Sequence, residues 1–228
     1  LLAEELPHGL FLPKSVDEAV RNINGLIAES EKSARAFLRR FSYPEGKHFS
    51  SIPLKTLNEH TKPEEIDELL QPLLKNETWG LISDCGLPCL ADPGAGLVRR
   101  AREKGIQIKA FVGPSSITLA LMLSGLPAQC FAFHGYLERE EEPLKLKIRA
   151  LEKRSQQENE TELFIEAPYR NQKLLTRLVE TLNEKTLLCV AWDLTLPTEG
   201  VITQRVSFWR KNPLPDLAKK PAIFLFKM

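Results

Sequence analysis

The chain has 228 residues, 43% of them hydrophobic, and its 31 basic and 30 acidic side chains leave a formal charge of +1. That length can bury one or two ordinary cores, and two units of roughly 110 residues each fit common domain sizes. A charge this small excludes a chain-wide field for nonspecific nucleic-acid binding, and the apolar runs fall short of the roughly 20 residues of a membrane helix.

The start carries no charged, apolar and cleavage regions of a secretory signal, so the chain is expected to be cytosolic. Cys85, Cys89, Cys130 and Cys189 form no CxxC pair and the four His are scattered. No metal site is expected.

The opening LLAEELPHG, Leu1 to Gly9, holds no strand-length run. Ser15 with Glu18 three residues later is a capping-box pattern for a helix through Asn22, and Leu26 to Ala28 predicts a short buried strand. A helix is expected from Ser33 to Phe41. Over Pro63 to Asn76, Ile66, Leu69, Leu70, Leu73 and Leu74 recur at helical spacing, and Trp79 to Ile82 predicts a strand. Ser83 to Gly94, SDCGLPCLADPG, is a polar turn stiffened by Gly86, Pro88, Pro93 and Gly94. An amphipathic helix, Leu97 to Lys104, follows it, Gly105 ends that helix, and Ile106 to Val112 predicts the next strand. This β-α-β rhythm implies a parallel sheet.

In such sheets ligands collect where the carboxyl ends of strands meet turns, which makes Ser83 to Gly94 the leading candidate site. The alternative is a rigid connection that only joins strand to helix. Neither GxGxxG nor GxxxxGK[ST] occurs, so no dinucleotide or nucleoside-triphosphate cradle is indicated.

Gly113 and Pro114 mark the expected boundary between an N-terminal α/β domain, 1–113, and a C-terminal α/β domain, 114–228. Ser115 and Ser116 then open a helix, where they can cap its first turn, seat a carboxylate on its unpaired amides, or do both. Strands are predicted at Phe131 to His134, Glu162 to Ile165, Leu187 to Trp192, Val201 to Phe208 and Ala222 to Phe226. Helices are predicted around Leu144 to Lys153 and Gln172 to Leu182, with an exposed loop at Gln156 to Glu160. Neighbouring strands without an intervening helix near the end imply a mixed sheet.

Ser83 to Gly94, GPSS at Gly113 to Ser116, SGLP at Ser124 to Pro127, FAFHGYL at Phe131 to Leu137 and EAPYR at Glu166 to Arg170 follow one another in an order similar to that of the tetrapyrrole methylase superfamily of S-adenosylmethionine-dependent methyltransferases. The chain most resembles the short form of its ribosomal RNA small-subunit methyltransferase I branch. That resemblance implies two α/β domains with the cofactor cleft between them, a homodimer, and methylation of a cytidine ribose 2'-hydroxyl in small-subunit ribosomal RNA, met as RNA or as the subunit. It also implies a first strand and glycine-bearing loop before the first helix, so that strand is expected to lie outside these residues. The family's Thr in the first motif is Leu87 here, its ExPHR histidine is Tyr169, and its AEDTR segment reads Ala28, Glu29, Ser30, Glu31, Lys32. These departures leave open a tetrapyrrole, small-molecule or protein acceptor, and a cofactor-binding paralogue with weak or no catalysis.

On this resemblance the cofactor contacts fall to Asp84 as polar anchor, the backbone around Gly86 and Leu87, Ser115 and Ser116, Ala167, and the stretches at Leu194 and Pro221. Asp92 is expected to fix the turn through the amides of the following helix. Proton removal from an acceptor hydroxyl falls to Glu166 or Glu29, with Tyr169 and Arg170 orienting phosphate or ribose. Glu166 can instead be a buried turn carboxylate paired with Arg170, and His134 a hydrogen-bonded structural residue. Arg35, Arg39 and Arg170 are the candidate RNA contacts, whereas Arg99, Arg100, Arg102 and Lys104, and the basic residues of 145–154, are expected to be solvated helix faces.

Overall fold

The computed structural model describes residues 7–84 and 86–228; the opening Leu1 to Leu6, and Cys85 within the candidate turn, lie outside the described residues. Two compact units divide the chain, the first through Ser115 and the second Ser116–Met228.

In the first unit α1 (Lys14–Asn22), β1 (Gly25–Ala28), α2 (Glu31–Leu38), β2 (Leu54–Thr56), α3 (Glu65–Leu70), β3 (Trp79–Leu81) and α4 (Ala95–Glu103) follow in order. β1 lies between β2 and β3 and runs parallel to both, with Ile27 level with Lys55 and Leu81. Leu26 packs with Val16, Val20, Ala34 and Leu38, while Ile27 packs with Leu69, Leu70, Leu97 and Ala101. Successive strand residues point to opposite faces, so α1 and α2 cover one face and α3 and α4 the other. The Arg100 guanidinium forks onto Asp67, with Nε to Oδ1 and Nη2 to Oδ2 both at 2.9 Å, and fastens α4 to α3. Those charge-assisted bonds pull the Asp67 carboxyl down to about 2.

Several expectations change here. Ser15 lies inside α1, whose N-cap is Pro13 with no side-chain bond. Pro13 offers no side-chain acceptor, and its backbone carbonyl accepts the Val16 N–H at 2.9 Å. Side-chain capping belongs to α2, where Ser30 Oγ accepts from the Ser33 N–H at 3.2 Å, so α2 starts and ends earlier than 33–41. Pro72 divides the 63–76 helix into α3 and a short 3-10 turn, Leu73–Lys75, closed by Asn76 at φ +64°.

The strand predicted at Ile106 to Val112 does not form. After Gly105, at φ +72°, residues 106–115 run without helix, turn or ladder. Alternating apolar residues specify a face to bury, and among the described residues no strand pairs with them.

The second unit comprises α5 (Ser116–Ser124), β4 (Phe131–Tyr136), α6 (Glu141–Glu158), β5 (Thr161–Ile165), α7 (Asn171–Thr181), β6 (Leu187–Trp192), β7 (Gly200–Arg205), α8 (Val206–Trp209) and β8 (Ala222–Lys227). Its sheet order is β4-β5-β8-β6-β7, with β4 and β5 parallel and the remaining pairs antiparallel. β8 fills the middle, buried from Ala222 to Phe226. Phe164, Phe224 and Phe226 face α6 and α7; Leu163, Cys189, Ala191 and Leu225 face Ile117, Ala120 and Leu121 of α5. The fold is thus mixed α/β, with one parallel and one mixed sheet.

Two corrections apply in this unit. Gln156 to Asn159 are exposed as expected, but they are not a loop: α6 continues to Glu158 and closes at Asn159, φ +53°, and Glu160 is buried and paired with Arg154. The strand predicted to Phe208 stops at Arg205 because the chain turns into α8, where the Trp209 indole N–H reaches the Leu188 and Gln204 carbonyls at 3.1 and 3.2 Å. Among the described residues no helix is long and apolar enough to cross a membrane.

Candidate functional site

β1 and β3 are parallel neighbours, so the segments leaving their carboxyl ends must meet. Glu29 follows β1, and its Oε1 accepts the backbone N–H of Asp84, two residues past Ile82, at 3.0 Å. Asp84 itself is exposed. The turn after it bends through Gly86 at φ +102°, Cys89 at φ +70° and Ala91 at φ +65° before Gly94 at φ +135° starts α4. A Cβ on Gly94 would stand 2.7 Å from Cys89 Sγ and 3.1 Å from Leu81, whereas one on Gly86 would meet nothing within 4 Å. Two non-glycine residues in the left-handed region of one loop constitute stored backbone strain.

Asp92 lies inside this turn. Burial pushes its carboxyl up to about 6, the neighbouring Glu29 adds to the rise, the Ser83 hydroxyl offsets part of it, and Asp84 contributes a smaller push. Its Oδ2 is buried without a hydrogen-bond partner among the described residues. Three carboxylates, Glu29, Asp84 and Asp92, therefore share this corner, and among the described residues no cation is paired with any of them. The expectation that Asp92 holds the next helix's amides is not met: among the described residues no amide of α4's first turn donates to Asp92, and Gly94 O accepts the Val98 N–H at 2.9 Å.

Ser115 is buried and Ser116 is the first residue of α5. Leu87 lies beside Gly113, 3.0 Å from where a Cβ there would stand.

In the second unit Glu166, Ala167, Leu194 and Pro221 come together at one end of the five-stranded sheet, because Ile165 is level with Ile223 and Trp192 with Ala222. Asp193 N–H donates to Pro221 O at 3.0 Å, and Asn171 Nδ2 donates to Lys220 O at 2.6 Å. Leu194 itself is in the core, flanked by Asp193 at φ +49° and Thr195 at φ +74°. Only its backbone is available to a ligand. Asp193 and Asn171, which hold this arrangement, escape sequence reasoning; the one local hint is an Asp between a buried strand and a Pro/Thr/Gly-bearing turn.

Glu166 is buried, its Oε1 accepting the Ala167 N–H at 2.8 Å and its Oε2 standing 3.0 Å from Arg170 Nη2. Of the two readings open for it, the geometry matches the paired turn carboxylate. His134 Nε2 likewise contacts Glu162 Oε2 of the neighbouring strand, a fully buried partner. Arg35 is committed to structure, Nη1 donating to the carbonyls of Phe49 and Ile52 at 2.9 and 2.8 Å, whereas Arg39 and Tyr169 are exposed. Among the described residues no three His, Cys, Asp or Glu are grouped to hold a metal ion.

The chain is similar to known proteins. The chain is 27% identical over 204 residues to the ribosomal RNA small subunit methyltransferase I of Thermotoga maritima, covering 88% of this chain and 86% of that one. It is 31% identical over 183 residues to the protein of the same name from Xylella fastidiosa, covering 80% of this chain and 63% of the relative. The solved methyltransferase CobJ has the same fold, with a TM-score of 0.61 at 14% identity over 94% of this chain and 87% of that one. The sequence model of the tetrapyrrole (corrin/porphyrin) methylases matches residues 18–207, and the chain belongs to that family of methyltransferases.

Proposed function

We propose that this protein transfers a methyl group from S-adenosylmethionine to a cytidine ribose 2'-hydroxyl in small-subunit ribosomal RNA, as a cytosolic homodimer. The observation that carries this reading is the corner formed by Glu29, Asp84 and Asp92, with a buried carboxylate oxygen lacking a partner. S-adenosylmethionine is a sulfonium cation with an ammonium group, and uncompensated carboxylates at the carboxyl ends of parallel strands suit it. Asp84, Gly86, Leu87, Ser115 and Ser116 are assigned to the cofactor, as are Ala167, Leu194 and Pro221. The acceptor is supported by the names of the relatives in Thermotoga maritima and Xylella fastidiosa.

In the transfer, the oxygen–carbon bond forms as the sulfur–carbon bond breaks, and the hydroxyl proton must leave. Glu166 and Arg170 are engaged with each other, so Glu29 is the proton acceptor this geometry favours. RNA contact then falls to Arg39 and to Tyr169, which is 77% exposed and can stack on a base.

Calorimetric titration with S-adenosylmethionine is expected to show saturable binding that Asp84→Ala weakens about tenfold, the size of one charge-assisted hydrogen bond. Labelled methyl is expected to appear in small ribosomal subunits. Label in a porphyrinogen instead would replace the acceptor. Binding without transfer to either would leave a cofactor-binding paralogue, the outcome that Leu87 and Tyr169 favour.

A further inference from the structure

One rim of the second unit collects aromatic rings and lysines. At the end of the sheet where Ile165 is level with Ile223 and Trp192 with Ala222, the segments that flank β5, β6 and β8 are neighbours. Asn171 Nδ2 donates to Lys220 O at 2.6 Å, and Gln172 Oε1 accepts the Leu217 N–H at 2.9 Å, so the start of α7 is tied to the loop before β8. The segment bearing the exposed Tyr169 is thereby fastened to the one bearing Lys219 and Lys220. Lys220 Nζ lies 5.9 Å from the centre of the Trp192 ring, and that ring lies across Gly200, where a Cβ would come within 2.1 Å of Cζ2.

The cations of this rim are uncompensated. Among the described residues no carboxylate forms an ion pair with Lys219 or Lys220, whereas the acids close by are already engaged: Glu166 with Arg170, Asp216 Oδ1 with the Ala218 N–H at 2.9 Å, and Asp193 Oδ2 with the Thr198 hydroxyl at 2.9 Å. Lys219 also stands against its backbone preference. The Lys220 N–H donates to Leu217 O at 3.1 Å and closes a turn whose third residue, Lys219, is at φ +61°. Such a turn favours Gly or Asn at that position, so folding does not account for a lysine there. An outward cation does.

Exposed rings beside unpaired cations match a single-stranded nucleic acid, which offers a flat π-face and a phosphate charge at each step. An acidic peptide would use the cations and leave the ring idle. We propose that this rim binds a single-stranded segment of RNA, with a base stacked on Tyr169 and the adjoining phosphates held by Lys219 and by Lys220, the latter steadied on Trp192. The proposal rests on the reading of the protein as an RNA methyltransferase and gives it a docking surface within the second unit.

The test measures binding of a fluorescein-labelled, single-stranded oligoribonucleotide of about 12 residues to the whole chain by anisotropy, without cofactor. Tyr169→Ala is expected to weaken binding about tenfold and to leave its salt dependence unchanged. Lys219→Ala with Lys220→Ala is expected to weaken it about tenfold and to flatten the slope of log affinity against log salt by about 1.4, two phosphates at about 0.7 each. Lys185→Ala with Lys211→Ala, exposed lysines at the opposite end of β6 and β7, removes the same charge and is expected to change neither. Lys219→Gly separates docking from folding: binding is expected to weaken about threefold while the urea midpoint stays level or rises. Absence of saturable binding, equal losses in the control pair, no loss in Tyr169→Ala, or equal affinity for the same strand in a duplex or for a polyglutamate of the same charge overturns the proposal. Undiminished methyl transfer to small ribosomal subunits by the Lys219→Ala, Lys220→Ala protein also overturns it and leaves the methyltransferase reading standing. The predicted binding losses in a protein that transfers no methyl group uphold the rim and remove that reading instead.

Discussion

Two turns, one in each unit, bury a carboxylate oxygen past the end of a parallel strand, and they treat its charge in opposite ways. Glu166 has Arg170 at 3.0 Å and the Ala167 amide at 2.8 Å. Asp92 has an unpartnered oxygen, two carboxylates nearby, and a carboxyl pushed up to about 6. A compensated charge is part of the fold, because its partner already stabilises it. An uncompensated one raises the energy of the empty protein, and a cationic ligand can relieve it. The contrast separates a structural motif from a receptive one even though both stand in segments similar to one enzyme family.

The largest expected effect breaks the compensated side. Arg170→Met leaves the Glu166 carboxylate buried without its cation and is expected to cost about 3–5 kcal/mol in urea unfolding. Gly94→Ala tests whether the other turn is as rigid as its backbone implies. At φ +135°, with its Cβ placed 2.7 Å from Cys89 Sγ, it is expected to cost about 2 kcal/mol, whereas Gly86→Ala, in open space at φ +102°, is expected to cost about 1. Asp92→Asn sharpens the comparison with the smaller effect and the opposite sign.

The Asp92 carboxyl is about 6 in the folded chain against an ordinary 3.8, so between those values the native state holds more protons than the unfolded one. Its contribution therefore turns unfavourable as pH rises from about 4 to about 6, by about 1–2 kcal/mol after solvent screening. Asp92→Asn removes this loss. Chemical denaturation at pH 4 and pH 7 is expected to show the variant more stable than the parent at pH 7 and the gap closing at pH 4.

The fold was legible where burial alone decides structure. β6 and β8 are unbroken apolar runs because both of their faces are covered, and no polar demand interrupts the pattern. Residues 106–112 carry a strand's alternation and still form no strand, because periodicity encodes which side is hidden and not who the neighbour is. Gln156 to Glu160 misled in part: its polarity rightly placed residues 156–159 in solvent, but they extend α6 rather than form a loop, and Glu160 is buried with an ion-pair partner, Arg154, that no local pattern announces. In the candidate site the Gly/Pro turn was visible from composition. The raised carboxyl of Asp92 was not, since it depends first on burial in the folded turn and then on Glu29, which lies 63 positions away in the chain and is brought near by strand pairing. Likewise Arg35, one helical turn before the exposed Arg39, gave no sequence sign that two backbone carbonyls occupy it.

The central place of β8 bears on how the protein is made. Ribosomes release a chain from its N-terminus, and domains fold as their residues emerge. β4, β5, β6 and β7 are all synthesised before the strand that separates β5 from β6. Until residues 222–227 leave the exit tunnel, the second unit can hold two separate strand pairs, one parallel and one antiparallel, with open inner edges, but not its sheet. The first unit has no such dependence on later residues of the second and can mature first. Termination between Arg205 and Ala222 would release a half-assembled sheet with two apolar edges exposed, a natural substrate for chaperones and proteases.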